Sequence, residues 1–304
     1  MINNILPIFL TIFFGNFLKK TDFIDDNFIK KTNKLIFYFL LPFLLFYKIA
    51  KSNIETTLSF KHIGIIYTSI ISIGFISFIF LKVLKIDSKT IGTFIMNSFR
   101  GNYAYIGLPV SYFTFGDQGL VIASIYMAFI VPFVNLSSII SLTIFSSTKN
   151  SSSKIFKQII FNPLALGCII GIIFSFFKIK IPLSIDRFLN INSNATLPLA
   201  LMAIGASINF DKLKSSLKLS LINSLFKLFF LPLIGYIIIQ IMKTPMDLKS
   251  KVIIILLATP SATVNFVLAS TMNGDVNLSA NTIIISTILS FFTYSIYLYF
   301  FNFL

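Results

Sequence analysis

A long apolar run of the sequence is interrupted by Ser98-Phe99-Arg100-Gly101-Asn102-Tyr103-Ala104-Tyr105-Ile106-Gly107-Leu108-Pro109-Val110. This stretch holds a charge, an amide, two tyrosines, two glycines and a proline. Lipid offers no hydrogen-bond partner to a guanidinium or to backbone groups that a helix break sets free. We therefore expect the stretch to face protein or a water-filled cavity and to organise the rest of the chain.

The composition around it is that of an integral membrane protein. Of the 304 residues, 56% are hydrophobic and 12% are charged, and the mean hydropathy is +0.90. A soluble core of this length requires no such apolar share. The formal net charge is +15, but the basic residues lie almost entirely in short connectors, where they set membrane topology and do not form a nucleic-acid surface. We expect the partners to be the lipid bilayer and no nucleic acid.

Ten apolar runs are long enough to cross about 30 Å of hydrocarbon. Their approximate bounds are Ile2 to Leu18, Leu35 to Tyr47 extended at its ends, Ile63 to Leu81, Ile91 to Phe115, Leu120 to Phe145, Ile159 to Phe177, Ala195 to Ile208, Leu219 to Met242, Val252 to Thr271 and Leu278 to Leu304. The first lacks the flanks of a signal peptide and is expected to be a span. Lysine and arginine are in excess in the connectors that lie inside if the N-terminus lies outside. This predicts a multi-pass protein of the cell (inner or plasma) membrane with both termini outside.

The most polar connector lies near the midpoint of the chain. Residues 146–158 are rich in serine and lysine and are typical of a flexible cytoplasmic linker. The linker separates a first half, residues 1–145, from a second half, residues 159–304, each with five spans. Because the number of spans per half is odd, two related halves would form an inverted repeat.

The fourth run of each half is the irregular one. In the second half it contains Ala258-Thr259-Pro260-Ser261-Ala262-Thr263-Val264-Asn265-Phe266. Interrupted segments at matching positions of two halves are the best sequence indication of a transporter binding site. Gly/Asp turns follow both, Phe115 to Gly119 and Asn273 to Asp275, which supports the correspondence.

Several strings of residues carry a resemblance that spans nearly the whole chain. They are Phe99-Arg100-Gly101-Asn102-Tyr103, Gly107-Leu108-Pro109, Thr196-Leu197-Pro198-Leu199-Ala200-Leu201 with Gly205-Ala206-Ser207, and Pro260-Ser261-Ala262-Thr263 with Gly274-Asp275. In these strings the chain resembles the auxin efflux carrier family of permeases and, more distantly, the bile acid:sodium symporter superfamily. The resemblance implies an all-α integral membrane fold of ten transmembrane helices in two inverted five-helix repeats, with helices 4 and 9 broken and crossing. It also implies a scaffold from spans 1, 2, 6 and 7, and a moving unit from spans 3 to 5 and 8 to 10. Plant relatives carry a proline where Asn265 stands.

The candidate substrate-binding residues lie at the two interruptions. They are Arg100, Asn102, Tyr103, Pro109, Pro260, Ser261, Thr263 and Asn265. Arg100 fits two roles, the attraction of a substrate carboxylate and the capping of carbonyls freed at the break. A half-helix that begins after Pro109 or Pro260 would direct free amides and a positive dipole end at the ligand. A small organic anion suits such a site.

Other ionisable residues limit the chemistry. The acidic residues fall at span ends or in connectors, and His62 is the sole histidine, so neither a hydrolase centre nor a metal centre is expected. The protein is therefore predicted to be no enzyme and to need no cofactor. A coupling ion would be H⁺ or Na⁺, with Asn102, Thr263 and Asn265 as the oxygen ligands of sodium. Lys227, inside an apolar run, is expected to extend its ammonium toward the inner membrane face.

These observations predict a secondary transporter that moves a small organic anion by an alternating-access, elevator-type mechanism, and that forms a homodimer. A sodium-coupled symporter of the bile-acid type is the alternative within transport. A membrane sensor that binds its ligand without flux is the alternative outside it.

Overall fold

The structure, a computed structural model, describes residues 2–145, 162–208 and 217–300, so the linker predicted at 146–158 lies outside the described residues. Within these ranges the chain forms helices and no strand, which confirms the all-α prediction. The helices are α1 (Ile2–Lys20), α2 (Asp26–Ala50), α3 (Phe60–Val83), α4 (Ser88–Phe99), α5 (Tyr103–Phe145), α6 (Pro163–Phe176), α7 (Leu183–Ser207), α8 (Leu217–Ile241), α9 (Leu248–Leu257), α10 (Val264–Thr271) and α11 (Val276–Phe300).

Five of the described helices are long and apolar enough to cross a bilayer, namely α2, α3, α5, α8 and α11. Helices α4 and α9 have 12 and 10 residues. At about 1.5 Å per residue they reach roughly half of the hydrocarbon thickness. They are short because the chain leaves the helical conformation after Phe99 and after Leu257, inside the two stretches that the sequence singled out. The arrangement of ten spans in two inverted repeats stays a prediction.

Helix ends follow ordinary capping chemistry, which accounts for the position of several acidic residues. The side chains of Asp25, Asp87, Asp247 and Asp275 each accept a backbone N–H three residues later, at 2.6 to 3.0 Å. A carboxylate satisfies a first-turn N–H and is favoured by the positive end of the helix dipole. The cap at Asp25 starts α2 at Asp26, nine residues before the predicted Leu35, because residues 26–35 form an amphipathic start with Ile29 buried.

Three membrane-length helices contain a π-helical turn. Residues Ile36–Leu40 of α2, Tyr103–Gly107 of α5 and Phe226–Phe230 of α8 adopt it, and each is followed two residues later by a proline, Pro42, Pro109 and Pro232. Proline lacks the N–H that continues the α-helical ladder, and a π turn is one way in which a helix absorbs such a defect. In α5 a different break occurs at Gly116, whose φ of 65° and ψ of −156° suit glycine.

The described residues fall into two compact units. Unit 1 comprises residues 2–59, 104–129 and 162–208. In it α1 packs on α7 and α2 on α6, at glycines that allow close approach. A Cβ at Gly205 would lie 1.7 Å from the carbonyl oxygen of Ile12, and one at Gly15 would lie 2.0 Å from that of Met202. Small residues at contacts of this kind are typical of helix packing in membranes.

An ion pair closes one end of unit 1. Lys51, just after α2, lies 2.6 Å from the carboxylate of Asp186 in α7. This hydrogen bond raises the pKa of Lys51 above its ordinary value. Because the ammonium is half exposed, the pair contributes little to stability.

Unit 2 comprises residues 60–103, 130–145 and 217–300. Helix α3 packs on α4 and α8, and α8 packs on α11. Its core includes Phe226, whose ring lies 5.2 Å from the rings of Phe80 and Phe94. Spans 1, 2, 6 and 7 thus belong to one unit and spans 3, 8, 9 and 10 to the other, as the resemblance implies. Residues 104–129, from spans 4 and 5, differ from that expectation because they group with unit 1.

Candidate functional site

The two interruptions meet in unit 2 through their backbones. Gly101 and Ser261 form an isolated antiparallel bridge. The N–H of Asn102 donates to the carbonyl of Pro260 at 2.8 Å, and the N–H of Ala262 donates to the carbonyl of Arg100 at 3.1 Å. Each break thereby satisfies backbone groups of the other, which hydrocarbon would leave unpaired.

Glycine is required at position 101 by the closeness of this approach. A Cβ there would lie 2.0 Å from Oγ1 of Thr259 and 3.1 Å from Cε and Nζ of Lys227. A Cβ at 2.0 Å would overlap Oγ1 of Thr259. The bridge can therefore form because residue 101 has no side chain.

The guanidinium of Arg100 is buried and is held by neutral groups of α5. It donates to the carbonyl of Val134 at 3.3 Å, to the hydroxyl of Ser138 at 3.1 Å and to Oδ1 of Asn135. These acceptors lie 34 to 38 residues away in the chain. Arg100 thus joins the end of α4 to the second half of α5, and its backbone carbonyl takes part in the bridge.

Asn102 and Tyr103 differ in how their side chains are used. The hydroxyl of Tyr103 donates to the carbonyl of Phe99 at 2.8 Å and caps the end of α4. The side-chain amide of Asn102 makes no hydrogen bond to any residue of the described ranges, although only 6% of the residue is exposed. Asn102 therefore presents an amide donor and an amide acceptor beside the bridge.

Asn265, in the first turn of α10, lies at the centre of a buried polar cluster next to the bridge. Its Nδ2 donates to Ser261 Oγ at 2.9 Å, to Asn97 Oδ1 at 3.1 Å and to the carbonyl of Arg100 at 3.3 Å. Its backbone N–H donates to the carbonyl of Ala262 at 3.0 Å, a bond that a proline at this position would lack. Asn97, which is fully buried, was not among the predicted site residues, although an asparagine inside an apolar run was a signal that the sequence offered.

The remaining predicted site residues have simpler positions. Thr263 is exposed and precedes the first turn of α10, and its side chain caps no N–H of that turn. Pro260 supplies the carbonyl that accepts from Asn102. Pro109 lies near the start of α5 among the residues of unit 1.

The end of α9 is capped by side chains from other helices. The carbonyl of Ile255 accepts from the hydroxyl of Tyr294 at 3.4 Å, and that of Leu257 accepts from Nζ of Lys227 at 2.6 Å. Lys227 is 0% exposed, so the expectation that it extends to the inner membrane face was wrong. The ammonium instead binds a carbonyl of the broken helix, where a cation is favoured by the negative end of the helix dipole.

Unit 1 contains a cavity of about 400 Å³ that the sequence did not predict. Its walls come from α1, α2, α5 and α7 and are mainly apolar. They are formed by Thr11, Leu44, Lys48, Tyr112, Phe113, Leu120, Ser193, Asn194, Leu197, Pro198 and Leu201. Lys48 contributes an ammonium that also pairs with Asp117, and the buried hydroxyl of Ser193 makes no hydrogen bond within the described residues. The signal available in the sequence was Ser193-Asn194 shortly before Pro198.

Comparisons with known proteins relate the chain to membrane transporters. A family model described as membrane transport protein matches residues 1–298. An uncharacterized transporter of Methanocaldococcus jannaschii is 26% identical over 300 residues, which cover 94% of each chain. An uncharacterized transporter of Methanothermobacter thermautotrophicus is 25% identical over 290 residues, covering 94% of this chain and 93% of that one.

Proposed function

Because the chain belongs to the membrane transport protein family, the family of the auxin efflux carriers, we propose that it is a secondary transporter that moves a small organic anion by alternating access. Membership in a transporter family and several membrane-length apolar helices support a multi-pass carrier and not an enzyme. The substrate class and the mechanism rest on the local chemistry at the two breaks.

The bridge between Gly101 and Ser261 carries the proposal. It is formed where α4 and α9 end, next to the unengaged amide of Asn102 and just before the first turn of α10. First-turn amides attract anions because the dipole end is positive and its N–H groups lack helical partners. The buried cation Arg100 also lies at this break, and its positive charge favours an anionic ligand. A carboxylate is the ligand that this field favours.

The direction of the bridge supports the inverted-repeat architecture. Two chain segments that pair antiparallel run in opposite directions, as the fourth spans of two oppositely inserted halves would. We therefore propose ten spans in two repeats, residues 1–145 and 159–304, whose broken fourth and ninth helices cross at Gly101 and Ser261.

An elevator-type movement follows from the same proposal. Unit 2 would carry the bridge and the bound anion, while unit 1 would act as the scaffold of a homodimer in the cell membrane. The cavity of unit 1 is a second candidate site for an amphipathic carboxylate, because its apolar residues fit the hydrocarbon part and Lys48, which also pairs with Asp117, supplies a positive charge.

A thermal-shift screen of the purified full-length chain tests the substrate class, since a ligand that binds the folded state raises its apparent stability. We expect a subset of mono- or dicarboxylates to raise the Tm of the wild type and to lose this effect in Asn102→Ala and Arg100→Ala. The matched control is Asn192→Ala, whose side chain donates, within the described residues, only to the carbonyl of Phe188 in its own helix. Stabilisation by neutral or cationic solutes alone would refute an anion carrier, and unchanged stabilisation in both site variants would refute this site.

A further inference from the structure

Lys227 is a buried cation that the proposed anion site leaves without a function. It lies in the π-helical turn Phe226–Phe230 of α8 and is completely buried. Its Nζ donates to the carbonyl of Leu257, the last residue of α9, at 2.6 Å. Nζ also lies 6.0 Å from the ring centroid of Tyr103, at the edge of the range of cation–π attraction.

The ammonium is compensated by dipoles and not by a carboxylate. Among the described residues no acidic side chain pairs with Lys227. The described acids lie at helix ends, in connectors or at the break of α5, namely Asp22, Asp25, Asp26, Glu55, Asp87, Asp117, Asp186, Asp247 and Asp275. The favourable partners present are the C-terminal end of α9 and the face of Tyr103. A carbonyl at a helix end beside an aromatic face is the environment of a monovalent-cation site.

The space around the ammonium of Lys227 has the size of a small cation. Gly101 leaves room for Nζ, because a Cβ at position 101 would lie 3.1 Å from it. The last four carbonyls of α9, from Ile254 to Leu257, each accept a bond, and only the bond to Leu257 comes from a charged group. Without Lys227 that carbonyl would remain unpaired in a buried, low-dielectric place.

We propose that the break at the end of α9 contains a monovalent-cation site that the ammonium of Lys227 fills permanently. The chain thereby supplies its own cation to the junction and needs no alkali ion to keep the two breaks together. When the side chain is shortened, the vacated site binds a small external cation such as ammonium, methylammonium or Na⁺. This inference concerns the stability of the junction and stands whether or not the protein moves an organic anion.

Chemical rescue of the purified full chain tests the site. The Tm of wild type, Lys227→Ala, Lys227→Gln and Lys227→Met is measured in chloride salts of N-methylglucammonium, ammonium, methylammonium and sodium. We expect the wild type to melt at the same temperature in every salt. Lys227→Ala should melt about 5 °C or more lower in the bulky cation, given that about 1 kcal/mol shifts the Tm of a chain of this size by a few degrees. Ammonium or methylammonium should restore most of this loss with a saturable dependence on concentration.

The other two variants separate a cation site from packing and from hydrogen bonding. Lys227→Met fills the space without charge, so its loss of Tm should be the same in every salt. Lys227→Gln keeps a neutral donor for Leu257 and should remain destabilised. Wild-type stability in Lys227→Gln or Lys227→Met, or a Lys227→Ala variant that no small cation restores, would overturn the proposal. If Lys227→Ala fails to fold, Lys227→Ser purified in ammonium chloride and then transferred to the bulky cation takes its place, with the same two outcomes.

Discussion

At the scale of single residues, Arg100 shows what the sequence can predict and what it leaves open. An arginine in an apolar run must be partnered, and that requirement is readable without a structure. Its acceptors, Val134, Asn135 and Ser138, become neighbours only through folding. Lys227 gives the converse case, because an extended side chain near a membrane face was expected and a buried cap of α9 was found. The difference arises because the end of α9 leaves the carbonyl of Leu257 without a helical partner, and folding brings this carbonyl within hydrogen-bond distance of Lys227.

Asn135→Ala is expected to destabilise the protein by about 2 kcal/mol, because it removes an acceptor from a buried charged donor. Chemical or thermal unfolding in detergent measures the change. Asn192→Ala serves as the control and should alter stability by less than about 0.5 kcal/mol. Equal effects of the two substitutions would show that the bond from Arg100 to Asn135 contributes nothing specific.

Lys48→Met is expected to weaken carboxylate binding about tenfold, equivalent to about 1.4 kcal/mol, if the cavity of unit 1 receives the anion. Lys51 offers a matched control, since it lies one turn further along the chain and also pairs with an aspartate but does not line the cavity. Titration calorimetry on both variants checks the prediction. An affinity that falls as much in Lys51→Met would indicate a general effect of net charge.

At the scale of helices, the sequence located the two helix breaks well and the other helix boundaries less well. The polar interruptions at Ser98 to Val110 and Ala258 to Phe266 end α4 and α9, because a proline, glycines and unpaired polar groups cannot continue a helix in lipid. The π turns of α2, α5 and α8 were not predicted. A π turn changes the register of a helix without changing its hydrophobic pattern, so composition does not reveal it.

Close glycine contacts between α1 and α7 lead to a third prediction. Gly205→Ala should destabilise unit 1 by about 1–3 kcal/mol, because the added methyl would overlap the backbone of Ile12. Gly64→Ala in α3 is the control, since a Cβ there meets no atom within 4 Å. Thermal melts of the two variants decide the point, and a Gly205→Ala protein as stable as the control would contradict the close approach of α1 and α7.

At the scale of the whole molecule, the division into units follows contacts that no single span reveals. The resemblance anticipated which complete spans group together. Helix α5 is divided between the two units after Phe129, so that residues 104–129 belong to unit 1 and residues 130–145 to unit 2. The cavity of unit 1 likewise combines residues from four helices, none of which carries a recognisable motif. Motifs therefore located the two interruptions that form the bridge, whereas the bridge itself and the cavity arise from tertiary packing.

The predicted orientation of the chain is testable by cysteine labelling in intact cells. Cys168, the sole cysteine, is buried, so Cys168→Ala provides the background. Asn53→Cys, in the connector between α2 and α3, should react with a membrane-impermeant maleimide. Thr21→Cys, in the connector between α1 and α2, should react only after the cells are permeabilised. The reverse pattern would place both termini inside.

Flux of a carboxylate through proteoliposomes tests the central claim most directly. With a labelled carboxylate that stabilises the purified protein, we predict saturable uptake by wild-type liposomes well above protein-free ones. Asn102→Ala should lower this uptake at least about tenfold, a loss of roughly 1.4 kcal/mol in binding or in the transport barrier, whereas Asn192→Ala should retain it. Uptake by wild-type liposomes equal to that of protein-free liposomes, despite measurable binding of the same carboxylate, would contradict a transporter and identify a sensor.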